Sequence, residues 1–330
     1  MSGLKTMRGK FLQQRGVALI TVLLVMVISV AAVSHAVMRN QLAISRTGAI
    51  LANTQLAEFV RGAEAWAIIA LEKDFEEDAS EANSSDNLQE AWAQKLTEFN
   101  PDNGKIRIQI KDLQSCFNVN NLTLGRASGA ESAYSNQLRN LVRNVGGQAD
   151  LALAIEDWLD AGDTPLGSGT EDTGYLGMEV AYRTPDTLIT DISELRHVQG
   201  MEADIWSELE PELCALPETG SRINVNTASQ SLLEALFPSA NVAGLINERE
   251  SGTPFAQASD LDPFEVKSGT ADVDFHSTYY IAYIAVQLGL EHRQYWESIL
   301  QLDPASGKVK VIQRQRREFS GQVLQELLGD

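Results

Sequence analysis

The first forty residues constrain this chain most. Four cations, Lys5, Arg8, Lys10 and Arg15, precede Gly16 with no acidic residue among them, and a long apolar run follows. From Val17 to Met38 no side chain carries a formal charge unless His35 protonates, and Arg39 closes the run. As a helix that stretch is about 33 Å long, enough to cross a hydrocarbon core of about 30 Å. The cations in front hold the N-terminus in the cytoplasm and place everything after Arg39 on the far side. Two plain readings satisfy this pattern. One is a secretory signal cut within Ala31-Ala32-Val33-Ser34-His35-Ala36, the other an uncleaved anchor.

A third reading comes from the junction Gln14-Arg15-Gly16-Val17-Ala18-Leu19. It resembles the site at which prepilin peptidase cuts pilin-like proteins, cleaving after the glycine and methylating the new N-terminus. That divides a leader, residues 1–16, from a transmembrane helix, residues 17–38, and makes Val17 the first mature residue. Most pilin-like proteins have Glu at the fifth mature position, where this chain has Thr21. The K-type minor pseudopilin of type II secretion is the member of the class that lacks this glutamate.

Beyond Arg39 the spacing predicts that the helix continues to about Leu71. Leu42, Ala49, Leu56, Ala63 and Ala67 form an apolar stripe, with Arg46, Gln55, Glu58, Arg61 and Glu64 on other faces and no proline in the way. Residues 72–104 read as an acidic loop around a short helix near Leu88–Phe99. Ile106, Ile108 and Ile110 alternate with polar residues as a half-buried strand, and Ser115–Leu122 reads as a second extended piece. Helical segments then dominate from about Thr123 to Pro263, before strands return from Tyr279, across Gly289-Leu290-Glu291 and across the turn Pro304-Ala305-Ser306-Gly307. The expected fold is α+β: a long N-terminal helix packed on an antiparallel sheet, with a large all-α domain inserted. Its parts are residues 39–122 (helix and first part of the body), 123–263 (the insertion) and 264–330 (the C-terminal β part).

Two segments of the insertion resemble helix-hairpin-helix or SAM-like units: Ile223-Asn224-Val225-Asn226-Thr227-Ala228-Ser229 with the helices after it, and Ile192–Met201 around Gly200. Such hairpins bind DNA in some proteins through glycine-exposed N–H groups and lysines. Here Pro238-Ser239-Ala240-Asn241 stands at the turn, and loss of the leader takes the net charge from −19 to −23. Both argue against nucleic acid, whose phosphates call for clustered Lys and Arg. No HExxH, GxSxG or phosphate-loop pattern occurs, and the four histidines lie in unrelated contexts, so an enzyme is not expected. Cys116 and Cys214 suit an oxidising compartment, where a bridge would clamp early sheet to insertion; the alternative is two buried thiols.

These features together resemble the K-type minor pseudopilin of the bacterial type II secretion pathway. The resemblance rests on the Gly16 junction, Ser115-Cys116-Phe117-Asn118-Val119-Asn120-Asn121-Leu122, Asp157-Trp158-Leu159-Asp160, Glu171-Asp172-Thr173-Gly174-Tyr175, Leu213-Cys214-Ala215-Leu216-Pro217 and Ile223–Ala228. It implies a structural, non-enzymatic protein of the inner membrane, single-pass, with its C-terminal domain in the periplasm, capping the pseudopilus tip. The implied partners are the I-type and J-type minor pseudopilins, the major pseudopilin and prepilin peptidase. It also implies structural Ca²⁺ in the insertion. Read from its residues alone, the stretch from Glu156 to Tyr175 is either a solvated acidic loop or a set of oxygen ligands. With the resemblance, Asp160, Asp163, Glu171 and Asp172 are the expected ligands. The competing function is an inner-membrane-anchored periplasmic calcium-binding adaptor unrelated to pili.

Overall fold

The computed structural model describes residues 14–80, 84–94, 96–124, 132–162, 164–167, 169–266, 273–319 and 321–328, in two compact units that meet between Glu58 and Phe59. Residues 1–13, most of the expected leader, and Asp163 lie outside the described residues. Helix α1 (Gln14–Asp78) supplies the first unit, and its start includes Gly16 and Val17. Val17, Leu19, Ile20 and the large apolar side chains onward to Met38 are exposed, as a lipid-facing segment requires. Thr21 satisfies its own hydroxyl by donating to the Ala18 carbonyl at 2.9 Å.

In the second unit α1 runs from Phe59 to Asp78, past the expected end near Leu71. Contacts with the sheet account for the extra turns. Glu72 accepts from Lys308 Nζ and the Val309 N–H, each at 3.1 Å, and Phe75 lies against Gly307 so closely that a Cβ there would come within 2.5 Å of its ring. The short helix expected near Leu88–Phe99 is confined to α2 (Ala91–Gln94), and Thr97–Phe99 forms strand β1 instead. Pairing with the next strand, β2 (Gly104–Asp112), overrides local helix propensity there.

After β2 the chain leaves the sheet. The expected extended piece Ser115–Leu122 reduces to β3 (Phe117–Asn118), because Asn118 then caps a 3₁₀ helix over Val119–Thr123 by accepting from the Asn120 N–H. Helices α3 (Ala133–Asn144), α4 (Ala149–Leu159) and α5 (Asp172–Tyr175) follow, and the helix expected over Ile192–Val198 is a 3₁₀ turn, Ile192–His197. Next come α6 (Ala203–Leu209), β4 (Leu213–Cys214), β5 (Ile223–Asn224), α7 (Gln230–Leu236), α8 (Val242–Glu250) and β6 (Val273–Asp274). Ser229 caps α7 by accepting from the Leu232 N–H at 3.0 Å. This stretch is mainly helical but not all-α: β3 pairs with β4, and β5 with β6, both in parallel. It has its own apolar core, centred on Leu138, Leu141, Ile155, Leu159, Leu195 and Leu233.

The sheet resumes with β7 (Tyr279–Leu288), β8 (His292–Asp303) and β9 (Lys308–Arg316), giving an antiparallel order β1-β2-β7-β8-β9. Helix α9 (Gly321–Leu328) follows, and Leu327 joins Ala285 and Phe319 in a small cluster on one face. The other face presents Ile106, Ile108, Ile110, Ala282, Ile284 and Val286 alongside Val60, Ala63, Ala67 and Leu71 of α1, all buried. Within that layer lies a carboxylate, Glu64. Arg314 holds it in a bidentate ion pair, and Ser298 Oγ donates to it at 2.6 Å.

The partners of that pair are unequally buried: the Glu64 side chain is 4% exposed and that of Arg314 40%. Removing the arginine strands a buried charge, whereas removing the carboxylate leaves a guanidinium that reaches water. Arg314→Leu is therefore expected to cost about 3 kcal/mol and Glu64→Gln only about 1 kcal/mol, read from urea midpoints at matched slope.

A second acidic group lies where α1 ends. Asp74, Asp86 and Glu90 bring carboxylate oxygens within 4.8 Å of one another. Burial, then mutual repulsion, pushes Asp74 up to about 7 and Glu90 up to about 9. Burial also raises Asp86 to about 6, against donors from Ser277 and Tyr280. Because these folded-state values exceed the unfolded ones near 4, the native chain binds the extra protons. The stabilisation from that proton uptake is complete at low pH and is lost as pH rises through about 6 to 9. Glu90→Gln should flatten the fall in Tm between pH 6 and 9 at fixed calcium concentration; an unchanged slope would refute the assignment.

Candidate functional site

The candidate site forms at the C-terminal end of α4. Its last turn buries Trp158 and Leu159 in the helical core, which turns Asp157 inward and fully out of solvent. The chain leaves α4 at Asp160, whose Oδ1 accepts from the Gly162 N–H at 2.8 Å. A loop then returns so that the Leu166 N–H donates to both Asp157 oxygens, at 3.2 and 3.1 Å. Gly169 passes directly over the same carboxylate: a Cβ there would lie 1.8 Å from Asp157 Oδ2, so no other residue fits without moving it. Glu171, also buried, completes the group, and one oxygen each from Asp157, Asp160 and Glu171 lies within 4.8 Å of the others.

Of the residues expected from sequence, Asp160 and Glu171 come together here. Asp172 turns to other partners. Its Oδ1 accepts from the Thr184 N–H and hydroxyl, each at 3.1 Å, and its Oδ2 pairs with Arg183. Partial burial works to raise the Asp172 pKa, but the Thr184 donors and the Arg183 charge hold it below the usual carboxylate value. The residue absent from the expected set is Asp157. Its signal was present in the sequence, since Asp157 and Asp160 stand three apart and share one helix face.

The donor set is all oxygen, which suits a hard divalent cation such as Ca²⁺ rather than a metal that prefers nitrogen or sulfur. Carboxylates at a helix C-terminus also face the negative end of the dipole, an unfavourable placement that a cation offsets. Aromatic rings wall the site. Trp158 and Tyr175 meet edge to face at 5.2 Å, Tyr182 stacks beyond them, and Tyr175 Oη accepts from the Gln199 N–H at 3.2 Å. Burial, together with the charges of Tyr182, Asp157 and Glu171, raises the Tyr175 pKa, against the hydrogen bond from Gln199. That ring couples the carboxylates to the helical core.

The asparagine-rich motifs turn out to be structural. Asn120 Nδ2 donates to the Ile189 and Leu216 carbonyls at 3.0 and 2.7 Å, and its Oδ1 accepts from the Ile189 N–H at 3.0 Å. Asn226 does the same to both backbone groups of Phe255, at 2.8 Å each. Cys116 and Cys214 are bridged, with Cα atoms 5.7 Å apart. Helices α7 and α8 flank the turn at Pro238-Ser239-Ala240-Asn241, and Asn241 caps the second by accepting from the Gly244 N–H at 3.0 Å.

Comparison with known proteins places this arrangement. A family model described as type II secretion system (T2SS), protein K, matches residues 115–218, a span that includes both cysteines and the carboxylate group. Type II secretion system protein K of Pectobacterium carotovorum subsp. carotovorum is 30% identical over 323 residues, covering 92% of this chain and 96% of the relative. The protein of the same description from Pseudomonas aeruginosa is 33% identical over 315 residues, covering 91% and 92%. Among solved structures, a chain from the crystal structure of the GspK-GspI-GspJ complex of the enterotoxigenic Escherichia coli type 2 secretion system shares the fold. Its TM-score is 0.69 at 24% identity, over 83% of this chain and 100% of that one. With such identity to curated relatives over nearly their whole length, the chain belongs to the type II secretion system protein K family.

Proposed function

We propose that this protein is a non-enzymatic minor pseudopilin that forms and caps the tip of the periplasmic pseudopilus in type II secretion. The observation that carries the tip reading is where the helical stretch leaves the sheet. In the second unit α1 starts beside Gly104, at the beginning of β2, and finishes beside Gly307 and Val309. The chain departs after Asp112 and returns at Tyr279, at that same finishing end. A subunit added beyond it would meet the helical stretch, which suits a cap better than a repeating unit.

Thr21 fits the same reading. A glutamate at this position would need a partner for its carboxylate in lipid, whereas the Thr21 hydroxyl is already satisfied within its own helix. The N-terminal helix anchors the chain in the inner membrane, prepilin peptidase cuts between Gly16 and Val17, and the rest lies in the periplasm. By analogy with the GspK-GspI-GspJ complex, the partners are the I-type and J-type minor pseudopilins, with the major pseudopilin below them.

Co-expression with prepilin peptidase and the I- and J-type proteins of the same organism tests this. The expected outcome is an N-methylated Val17 and a complex that stays together through size-exclusion chromatography. A retained leader and a chain that elutes alone would instead indicate an anchored periplasmic adaptor.

We further propose that Asp157, Asp160 and Glu171 hold a structural Ca²⁺, which would neutralise their charge and fasten the loop after α4 to α5. Asp157→Asn should weaken calcium binding at least tenfold, about 1.4 kcal/mol, in calorimetry on chelator-stripped protein. Asp172→Asn should have a smaller effect, because Arg183 and Thr184 already occupy that carboxylate. Chelation should lower the Tm of the parent chain and leave that of Asp157→Asn nearly unchanged.

A further inference from the structure

Two chain crossings form a neck between the helical stretch and the sheet, with the side chains of Asp112, Gln114 and Ser277 buried and that of Thr278 half-buried. The chain leaves through Asp112-Leu113-Gln114 and returns through Ser277-Thr278-Tyr279. The two crossings are tied by the Leu113 N–H, which donates to the Tyr279 carbonyl at 2.9 Å. Gln114 Oε1 accepts from the Thr278 N–H at 2.6 Å and from its hydroxyl at 2.9 Å, and Gln114 Nε2 donates to the Arg222 carbonyl at 3.0 Å.

Asp112 is the hub. Its Oδ1 accepts from the Gln114 N–H at 2.7 Å. Its Oδ2 accepts from Thr227 Oγ1 at 2.5 Å, Ser277 Oγ at 2.7 Å and Asn224 Nδ2 at 3.0 Å. Asn224 Nδ2 also lies 2.9 Å from the Asp86 carbonyl and 3.0 Å from Ser277 Oγ. One carboxylate from the end of β2 therefore gathers a residue from β5, a residue from the turn before α7, and the residue that leads back into β7.

The apolar packing is divided at the same place. The large helical core contains no residue of β2, β7, β8 or β9 among the described residues. Beside the polar group lies a small cluster of the Cys116–Cys214 bridge, Leu216 and Tyr279, and to one side Arg317, just after β9, pairs with Asp191 of the helical stretch at 3.0 Å. Two bodies with separate cores, joined by two crossings, a hub of hydrogen bonds and one part-exposed ion pair at Arg317–Asp191, have the construction of a hinge.

We propose that Asp112, with Asn224, Thr227 and Ser277, is a polar clasp that sets the angle of the helical stretch on the sheet, and that opening it lets the stretch pivot as a unit about the neck. Asp112 acts as a positioning residue. The inference does not depend on the pseudopilin reading.

The test uses the full chain in detergent micelles, with genetically encoded spin labels at Leu290 and Val180, which are 97% and 75% exposed on the sheet and the helical stretch. The parent should give one narrow distance distribution, and Asp112→Asn a broad one. Hydrogen exchange should show protection falling roughly tenfold at Leu113, Asn224 and Thr278, with the amides of β7, β8 and α4 unchanged. Should Asp112→Asn fail to fold, Thr227→Val with Ser277→Ala removes two of the donors and is read in the same way. A distance distribution that stays narrow in the variants would overturn the hinge. Protection lost evenly through both cores would also overturn it, since Asp112 would then serve stability alone.

Discussion

Everything in the second unit depends on the pairing of β2 with β7. Their register runs without a break from Gly104 opposite Leu288 to Asp112 opposite Tyr280, yet the whole helical stretch lies between them in the chain. Closing so long a loop costs surprisingly little extra, since each doubling of its length adds only about 0.6 kcal/mol. What such an excursion does demand is that it fold on its own, or its chain entropy is never offset. The separate core around Leu138, Ile155 and Leu233 meets that demand. The Cys116–Cys214 bridge adds to it: with a sequence separation of 98, it restricts the unfolded chain by about 4–5 kcal/mol in the loop-entropy account.

Outside the large sheet, much of the backbone lies in short 3₁₀ turns and two-residue strands that cannot satisfy their own N–H and C=O groups. Asparagine side chains do it for them. Asn118, Asn120, Asn121 and Asn226 each bond backbone far away in sequence, in the manner of a missing strand neighbour. The Asn-Val-Asn pattern occurs twice for this reason, at Asn118-Val119-Asn120 and at Asn224-Val225-Asn226. The sequence resemblance in these motifs thus marks scaffold, and the duplicated pattern has no need of a nucleic-acid partner to explain it.

Periodicity made the long elements legible. The later part of the α1 stripe, Ala63 and Ala67, the alternation at Ile106, Ile108 and Ile110, and the run of strand formers from Tyr279 each bury one face on a large partner, so their pattern is strong, whereas Leu42 and Ala49 of the same stripe are exposed. The short elements were not legible in the same way. Thr97–Phe99 became a strand only because β2 offers it an edge, and Val119–Thr123 became a 3₁₀ turn only because Asn118 caps it. At the carboxylate site, the acidic spacing located the loop, but not which way each side chain turns. Asp157 points inward because its neighbours Trp158 and Leu159 are drawn into the core, while Asp172 is claimed by Arg183, eleven residues on. Both outcomes depend on tertiary packing that spacing does not encode.

The carboxylate site and the neck lie in different parts of the same body, and their physics separates them. Asp157, Asp160 and Glu171 tie the end of α4 to the residue before α5, and through Trp158 and Tyr175 they bear on the helical core itself. Asp112 instead gathers neutral donors at the boundary with the sheet. A cation at the first site would therefore govern whether the helical stretch is well formed, and the hub at the second would govern where that stretch points. A tip subunit needs both properties, because the surface it presents is useful only if it is rigid and correctly aimed. On these proposals, rigidity would come from a cation neutralising charge within the helical core, and direction from hydrogen bonds at its base.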